Sequence, residues 1–235
     1  MENGFANGAI ARWQTLHEVT CVATVLSDGG DALAERYLAH EIVEAKRGLI
    51  QNERCRALLG YAPFPKREAV QIERRYRVLI DRYGEEFGGD YGWAAAHLNC
   101  AKPNFSQIEA AAGRGMMRSH YKMASHNVHA TMRGVSYRLG SIDQSVHAVA
   151  GPSNVGIVEP GQNLALSLLQ ITTLLFPERW NLDRIVQLSV LTRLQERVPQ
   201  ALAKSERAIM RDEQRIQEKA DRRRATSRQR NGSRR

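Results

Sequence analysis

The stretch RSHYKMASHNVHAT, Arg118 to Thr131, places three of the chain's seven histidines within ten residues. Tyr121, Ser125 and His129 stand at i, i+4 and i+8, so a helix carries them on one face over about two turns. A neutral imidazole beside serine and tyrosine hydroxyls can move protons near neutral pH as general base or acid. His126 and His129, at i and i+3, can touch the same small group, and Arg118 and Lys122 offer positive charge to an anionic substrate. The plainer reading is a set of partly buried polar residues bonded to neighbouring helices. Met117, Val128 and Met132 lie around one side, and apolar neighbours at helical spacing mark a buried face. Tyr121, Ser125 and His129 are therefore expected to face inward, with Lys122 and His126 nearer the edge.

An inward histidine needs a hydrogen-bond partner. The first apolar segment of the chain is the best supplier, because it carries Arg12, His17 and Glu18. Such groups are costly to bury unless paired, and Tyr121 and His129 are the expected partners; otherwise the three simply mark a solvent face. The candidate catalytic set is His129, Ser125, Tyr121, Arg12 and Glu18, and the candidate substrate-binding set is Arg118, Lys122, His126 and His17.

Other chemistries are weaker. The pair His126 and His129 gives two metal ligands where zinc needs three or four. No histidine follows a glutamate by three residues, as the helices of di-iron bundles require. No metal and no cofactor are expected. Asp143 and His147 have helical i+4 spacing but no nucleophile to complete a triad, and the phosphate-loop, dinucleotide and esterase-elbow motifs are absent.

These residues need helices to hold them, and the punctuation supplies helices. A first helix spans residues 6–27, with Ile10, Trp13, Leu16 and Thr20 on one stripe. DGGD at 28–31 breaks it, and Asp31 can cap a second helix reaching about Leu59. GYAPFP at 60–65 stops that one. A third helix runs from about Lys66 to Tyr83, with Val70, Arg74, Arg77 and Asp81 outward; GEEFGGDYGW then reads as a glycine-rich turn whose aromatics pack. Ser106 and Glu109 have the form of a capping box, and the histidine helix is drawn from about Gly113 to Leu139. Residues 148–162 read as an ordered loop, helices at about 162–176 and 181–198 follow, and Pro199 kinks or ends the last. Alternating strand patterns are almost absent. The expected fold is all-α: one helical bundle with its core at about 5–198 and a main domain of 1–199, then a charged helical extension at 200–218.

Charge is unevenly placed. The net +9 is concentrated from Lys219 onward, where eight Lys or Arg face one acid, Asp221; that segment carries +7 and the preceding 218 residues only +2. Residues 219–235 are expected to be a disordered basic tail that binds nucleic acid, RNA above all, through its phosphates. Cys21, Cys55 and Cys100 lie far apart without CxxC spacing, which fits a reducing compartment. The N-terminus has no basic region before a clean apolar core, and LALSLLQITTLLF is too short to span a bilayer. A cytoplasmic protein without a membrane partner is expected.

Five segments taken together, ARWQTLHE (11–18), ERYLAHE (35–41), RYGEEFGGDYGWA (82–94), YKMASHNVHA (121–130) and GPSNVGIVEPGQN (151–163), resemble the bacterial domain-of-unknown-function family 5677. The resemblance covers roughly residues 5 to 180. Family members carry more helical sequence ahead of the position of Arg12, so an N-terminal helix or two is expected to be missing here. More distantly, the helix pattern is similar to the HEPN group of helical ribonucleases and nucleotide-binding domains. That similarity implies an arginine and a histidine four to six residues apart, often across a homodimer interface. It also implies metal-independent RNA cleavage in a toxin or phage-defence setting, by attack of a 2′-hydroxyl on the adjacent phosphate. Arg114 to His120 has five intervening residues and Arg12 to His17 has four; Arg118 to His126 has seven, and none of these ends at His129. The rival reading is a non-catalytic helical scaffold that binds a partner or nucleic acid through its tail.

Overall fold

A computed structural model describes residues 6–129, 131–136, 139–142, 145–148, 156–176 and 181–232. The fold is all-α. Helices α1 (Ala6–Ala39), α2 (Glu41–Leu59), α3 (Lys66–Tyr83) and α4 (Phe105–Ala111) are followed by α5 (Arg118–Val128), α6 (Met132–Ser136), α7 (Val158–Leu174) and α8 (Leu182–Gly232). Where the sequence draws one core, contacts gather into two compact units. One unit comprises Met1–His17 with Ser119–Arg235, and the other is Glu18–Arg118. No loop announces the border, because it falls inside α1.

In the Glu18–Arg118 unit, Gly30 breaks α1 with φ +64°, a conformation open to glycine at no steric cost. The chain then turns again at His40, so the expected second helix is interrupted and α2 starts at Glu41. Gly60 closes α2 in the left-handed region, its N–H bonded to the Arg56 carbonyl. Helix α3 has the expected bounds, with Val70, Arg74, Arg77 and Asp81 exposed. The glycine-rich turn folds as two short 3-10 turns, Glu85–Gly88 and Gly92–Ala94, which bury Phe87 and Trp93. A Cβ at Gly92 would collide with the Phe87 carbonyl, so only glycine fits there. Arg36, His40 and Arg47 hold this turn by its carbonyls, at Trp93 (3.0 Å), Gly89 (2.9 Å) and Gly88 (2.9 Å). The capping box of α4 is Asn104 with Gln107, not Ser106 with Glu109. Placing the cap two residues earlier buries Phe105, Ile108 and Glu109 on the inner face.

In the other unit, the single histidine helix of the sequence reading becomes a short 3-10 turn (Gly115–Met117, just before the unit begins), α5 and α6. Thr131 makes the break. Its hydroxyl accepts the Gly134 N–H at 3.1 Å and lies 3.1 Å from His126 Nδ1, which caps the next helix and ends the last one. Gly134 tolerates the bend because a Cβ there would overlap the His126 carbonyl. Strands β1 (Leu139–Ile142) and β2 (Ser145–Ala148) form an antiparallel hairpin that starts where the histidine helix was drawn to end, with Gly140 opposite His147. His147 is thus on a strand, and Asp143 lies outside the described residues. Helix α7 begins at Val158, inside the stretch drawn as loop, and buries Pro160, Gly161, Asn163 and Ser167. Helix α8 packs on α7 and continues through Pro199 to Gly232, over residues expected to be an unstructured tail. Lys, Arg, Gln, Ala and Glu are all good helix formers, which favours that continuation.

Candidate functional site

Within the first unit, α1, α5 and α7 bring a row of polar and aromatic side chains together. Trp13 and His17, one turn apart on α1, are fully buried. Their rings are 5.3 Å apart. His120 and Tyr121, adjacent on α5, continue the row: His120 meets Trp13 edge-on at 6.5 Å, and Tyr121 lies 5.9 Å from His17. Helix α7 contributes Glu159, Asn163 and Ser167, spaced i, i+4 and i+8 on one face. Trp13 Nε1 donates to Ser167 Oγ at 3.3 Å. Between Ser167 and Glu159, the buried Asn163 has an Nδ2 with no hydrogen-bond partner among the described residues.

The chemistry is concentrated at the far end of that face. His120 Nδ1 lies 2.5 Å from Glu159 Oε1, and both side chains are about two-fifths exposed. An Nδ1–H donated to the carboxylate fixes the tautomer, and Nε2 is then the lone-pair nitrogen, able to take or give a proton. Glu159 sits in the first turn of α7, where the helix dipole favours a carboxylate. Partial exposure leaves the pair open to solvent, and the buried Trp13 ring lies edge-on to His120.

The predicted residues fall in different places. Tyr121 and His17 meet as expected. His129 does not join them: α5 ends at Val128, and His129 is exposed past that end. Val128 and Met132, taken as marks of a buried face, are 52% and 80% exposed. The face that α5 buries holds Ala124. Ser125 is half-buried and accepts the His129 N–H at its carbonyl (2.9 Å). His126 is taken up with Thr131, and Lys122 and Arg12 are exposed.

Glu18 and Arg118 belong to the other unit and to a separate cluster there. Arg118 Nη1 donates to Glu109 Oε2 at 3.2 Å, and that carboxylate is almost fully buried. A buried carboxylate needs such a partner, so Arg118 has a structural duty beside any role in binding. Cys21 is buried in this unit; burial, then Glu109 and Glu18, push its thiol up to about 12 while Arg114 pulls the other way. Burial lowers the Arg114 guanidinium from its ordinary value, and its Nε finds no acceptor among the described residues. Among the described residues no three His, Cys, Asp or Glu side chains converge as a metal ion would require, and no helix is long and apolar enough to cross a membrane.

Sequence reasoning missed His120, Glu159 and Asn163 as a set. Two signals were present: the Arg114–His120 spacing ends on this histidine, and Glu159 and Asn163 stand in the GPSNVGIVEPGQN segment. Comparison with curated proteins and with solved structures gives no match. The family described as "Family of unknown function (DUF5677)" matches residues 1–146, more than half of the chain, and the protein belongs to that family.

Proposed function

We propose that this protein is a HEPN-like helical enzyme that cleaves RNA without a metal, using His120 as the proton-transfer group and Glu159 to orient it. The single observation that carries the reading is the 2.5 Å contact between His120 Nδ1 and Glu159 Oε1 in a partly open setting. In the reaction, Nε2 of His120 takes the proton of an RNA 2′-hydroxyl as that oxygen attacks the adjacent phosphorus. The same imidazolium returns that proton to the 5′-oxygen as the P–O5′ bond breaks, and a 2′,3′-cyclic phosphate remains. Arg12 and Lys122 are exposed cations on two of the three helices that carry the row. Of the arginine–histidine spacings in the sequence, Arg114–His120 is the one that ends on the paired histidine.

The test is cleavage of end-labelled single-stranded RNA by the full chain in the presence of EDTA, with the product ends identified by mass spectrometry. His120→Ala should lower the rate by about 10²–10⁴, the usual contribution of a positioned acid or base, with an unchanged melting temperature. Glu159→Gln should lower it less. His129→Ala should cleave as the parent does; loss of cleavage there, with His120→Ala active, moves the site back to His129. Absence of any cleavage favours the second reading, a non-catalytic interaction protein with a nucleic-acid-binding tail. One feature speaks for that reading: Leu182, Val186, Val190 and Leu194, each half or more exposed, form an i+4 ridge along α8.

A further inference from the structure

The Glu18–Arg118 unit contains a cavity of about 340 Å³ that the proposed cleavage does not use. Arg36, Tyr83, Glu86, Asn99, Cys100 and three alanines line it. Arg36 enters from α1 with its guanidinium over the Tyr83 ring (4.5 Å) and near that of Phe87 (5.4 Å). Its Nε and Nη2 are spent on the Trp93 and Gly92 carbonyls at 3.0 and 3.5 Å. Neutral carbonyls and ring faces hold the group in place without cancelling its charge, and burial lowers its pKa from the ordinary value. Among the described residues Arg36 has no carboxylate partner.

Glu86, on the same cavity, likewise forms no ion pair among the described residues. Two opposite charges that share one small cavity without meeting leave room for something between them. Tyr83 forms part of the same wall, while its hydroxyl is buried with no hydrogen-bond partner among the described residues. Asn99 adds an amide from a backbone at φ +48°, the left-handed region that asparagine tolerates better than most residues. Cys100, by contrast, already accepts a bond from Gln107 Nε2 at 3.2 Å. The floor is made of alanine methyl groups, which leave volume where larger side chains would fill it.

We propose that this cavity binds a small zwitterion of amino-acid size, its carboxylate on Arg36 and its ammonium on Glu86. A lone anion would leave Glu86 facing it, and a lone cation would face Arg36; a molecule carrying both charges satisfies both walls. The volume lies at the lower end of the range of small-molecule sites.

The probe is a panel of free L-amino acids added singly to the full chain, with propionate and n-propylamine as single-charge controls, read by ligand-observed NMR and by thermal shift. At least one amino acid should bind, and neither control should bind at the same concentration. Glu86 is exposed, so Glu86→Gln keeps the fold; it should weaken binding about ten-fold, as expected for loss of one charge-assisted bond. The proposal is overturned if no amino acid binds, if propionate binds as well as the amino acids, or if Glu86→Gln binds with unchanged affinity.

Discussion

Cys21 and His40 are both buried groups whose ionisation the fold opposes. The Cys21 thiol, raised to about 12 by burial first and by two nearby carboxylates second, holds almost no thiolate near neutral pH, and the thiolate is the nucleophile. Iodoacetamide at about pH 8 should therefore modify Cys55 and Cys100, which are half-buried, well before Cys21. Peptide mass spectrometry over a time course reads the order, and early labelling of Cys21 in the folded protein would contradict it. His40 is held below the ordinary histidine value by burial, against the opposing pull of the Gly89 carbonyl and Glu44. As pH falls, the unfolded chain takes the proton first. The stability His40 contributes is thus present above about pH 6.5 and is lost as pH drops through its folded value. Urea unfolding at a series of pH values should show an acid-side slope for the parent and a shallower one for His40→Gln.

At the scale of elements, Thr131 decides where two helices stop and start. Thr131→Ala removes an acceptor from the Gly134 N–H and a partner from His126, so it should cost about 1 kcal/mol by denaturant unfolding; Thr131→Ser should recover most of it. The same residue explains what was legible in the sequence. Helix α3 could be bounded from Pro65 and Gly84 because those residues break helices on local grounds alone. Thr131 and Gly134 fit a helical pattern in one dimension, and the break they make depends on the His126 side chain folding back onto Thr131. Pro160 misled in the opposite direction. It sits in the first turn of α7, where the missing N–H has no partner to lose, yet beside Gly156 and Gly161 it reads as loop. The candidate site followed the same division. The Tyr121–His17 contact was legible because His17 is a polar group on the apolar first helix that needs a partner, and Tyr121 was one of the two offered to it. His120–Glu159 joins residues 39 apart through tertiary packing, and helical spacing favoured His129, which falls just beyond the helix that was to carry it.

For the molecule as a whole, charge and connectivity have separate consequences. Residues 219–235 carry +7 of the net +9, so their deletion should weaken binding to single-stranded RNA and flatten its salt dependence by about 0.7 in the log–log slope for each phosphate released. Filter binding across a salt series measures this, and an unchanged slope would locate nucleic-acid contacts elsewhere. Connectivity bears on the order of events during synthesis. One unit is the unbroken stretch Glu18–Arg118, whereas the other joins Met1–His17 to Ser119–Arg235. A ribosome releases residues in sequence, and contacts between distant residues must wait for the later one. A nascent chain paused after Arg118 can complete the unbroken unit, but Trp13 has yet to meet Ser167, 154 residues downstream. That paused chain contains two tryptophans, and acrylamide should quench Trp13 freely while Trp93 is shielded. Residues 6–17 emerge ahead of the unbroken unit yet find their places after it, and until then the indole of Trp13 is a surface that holding chaperones can recognise.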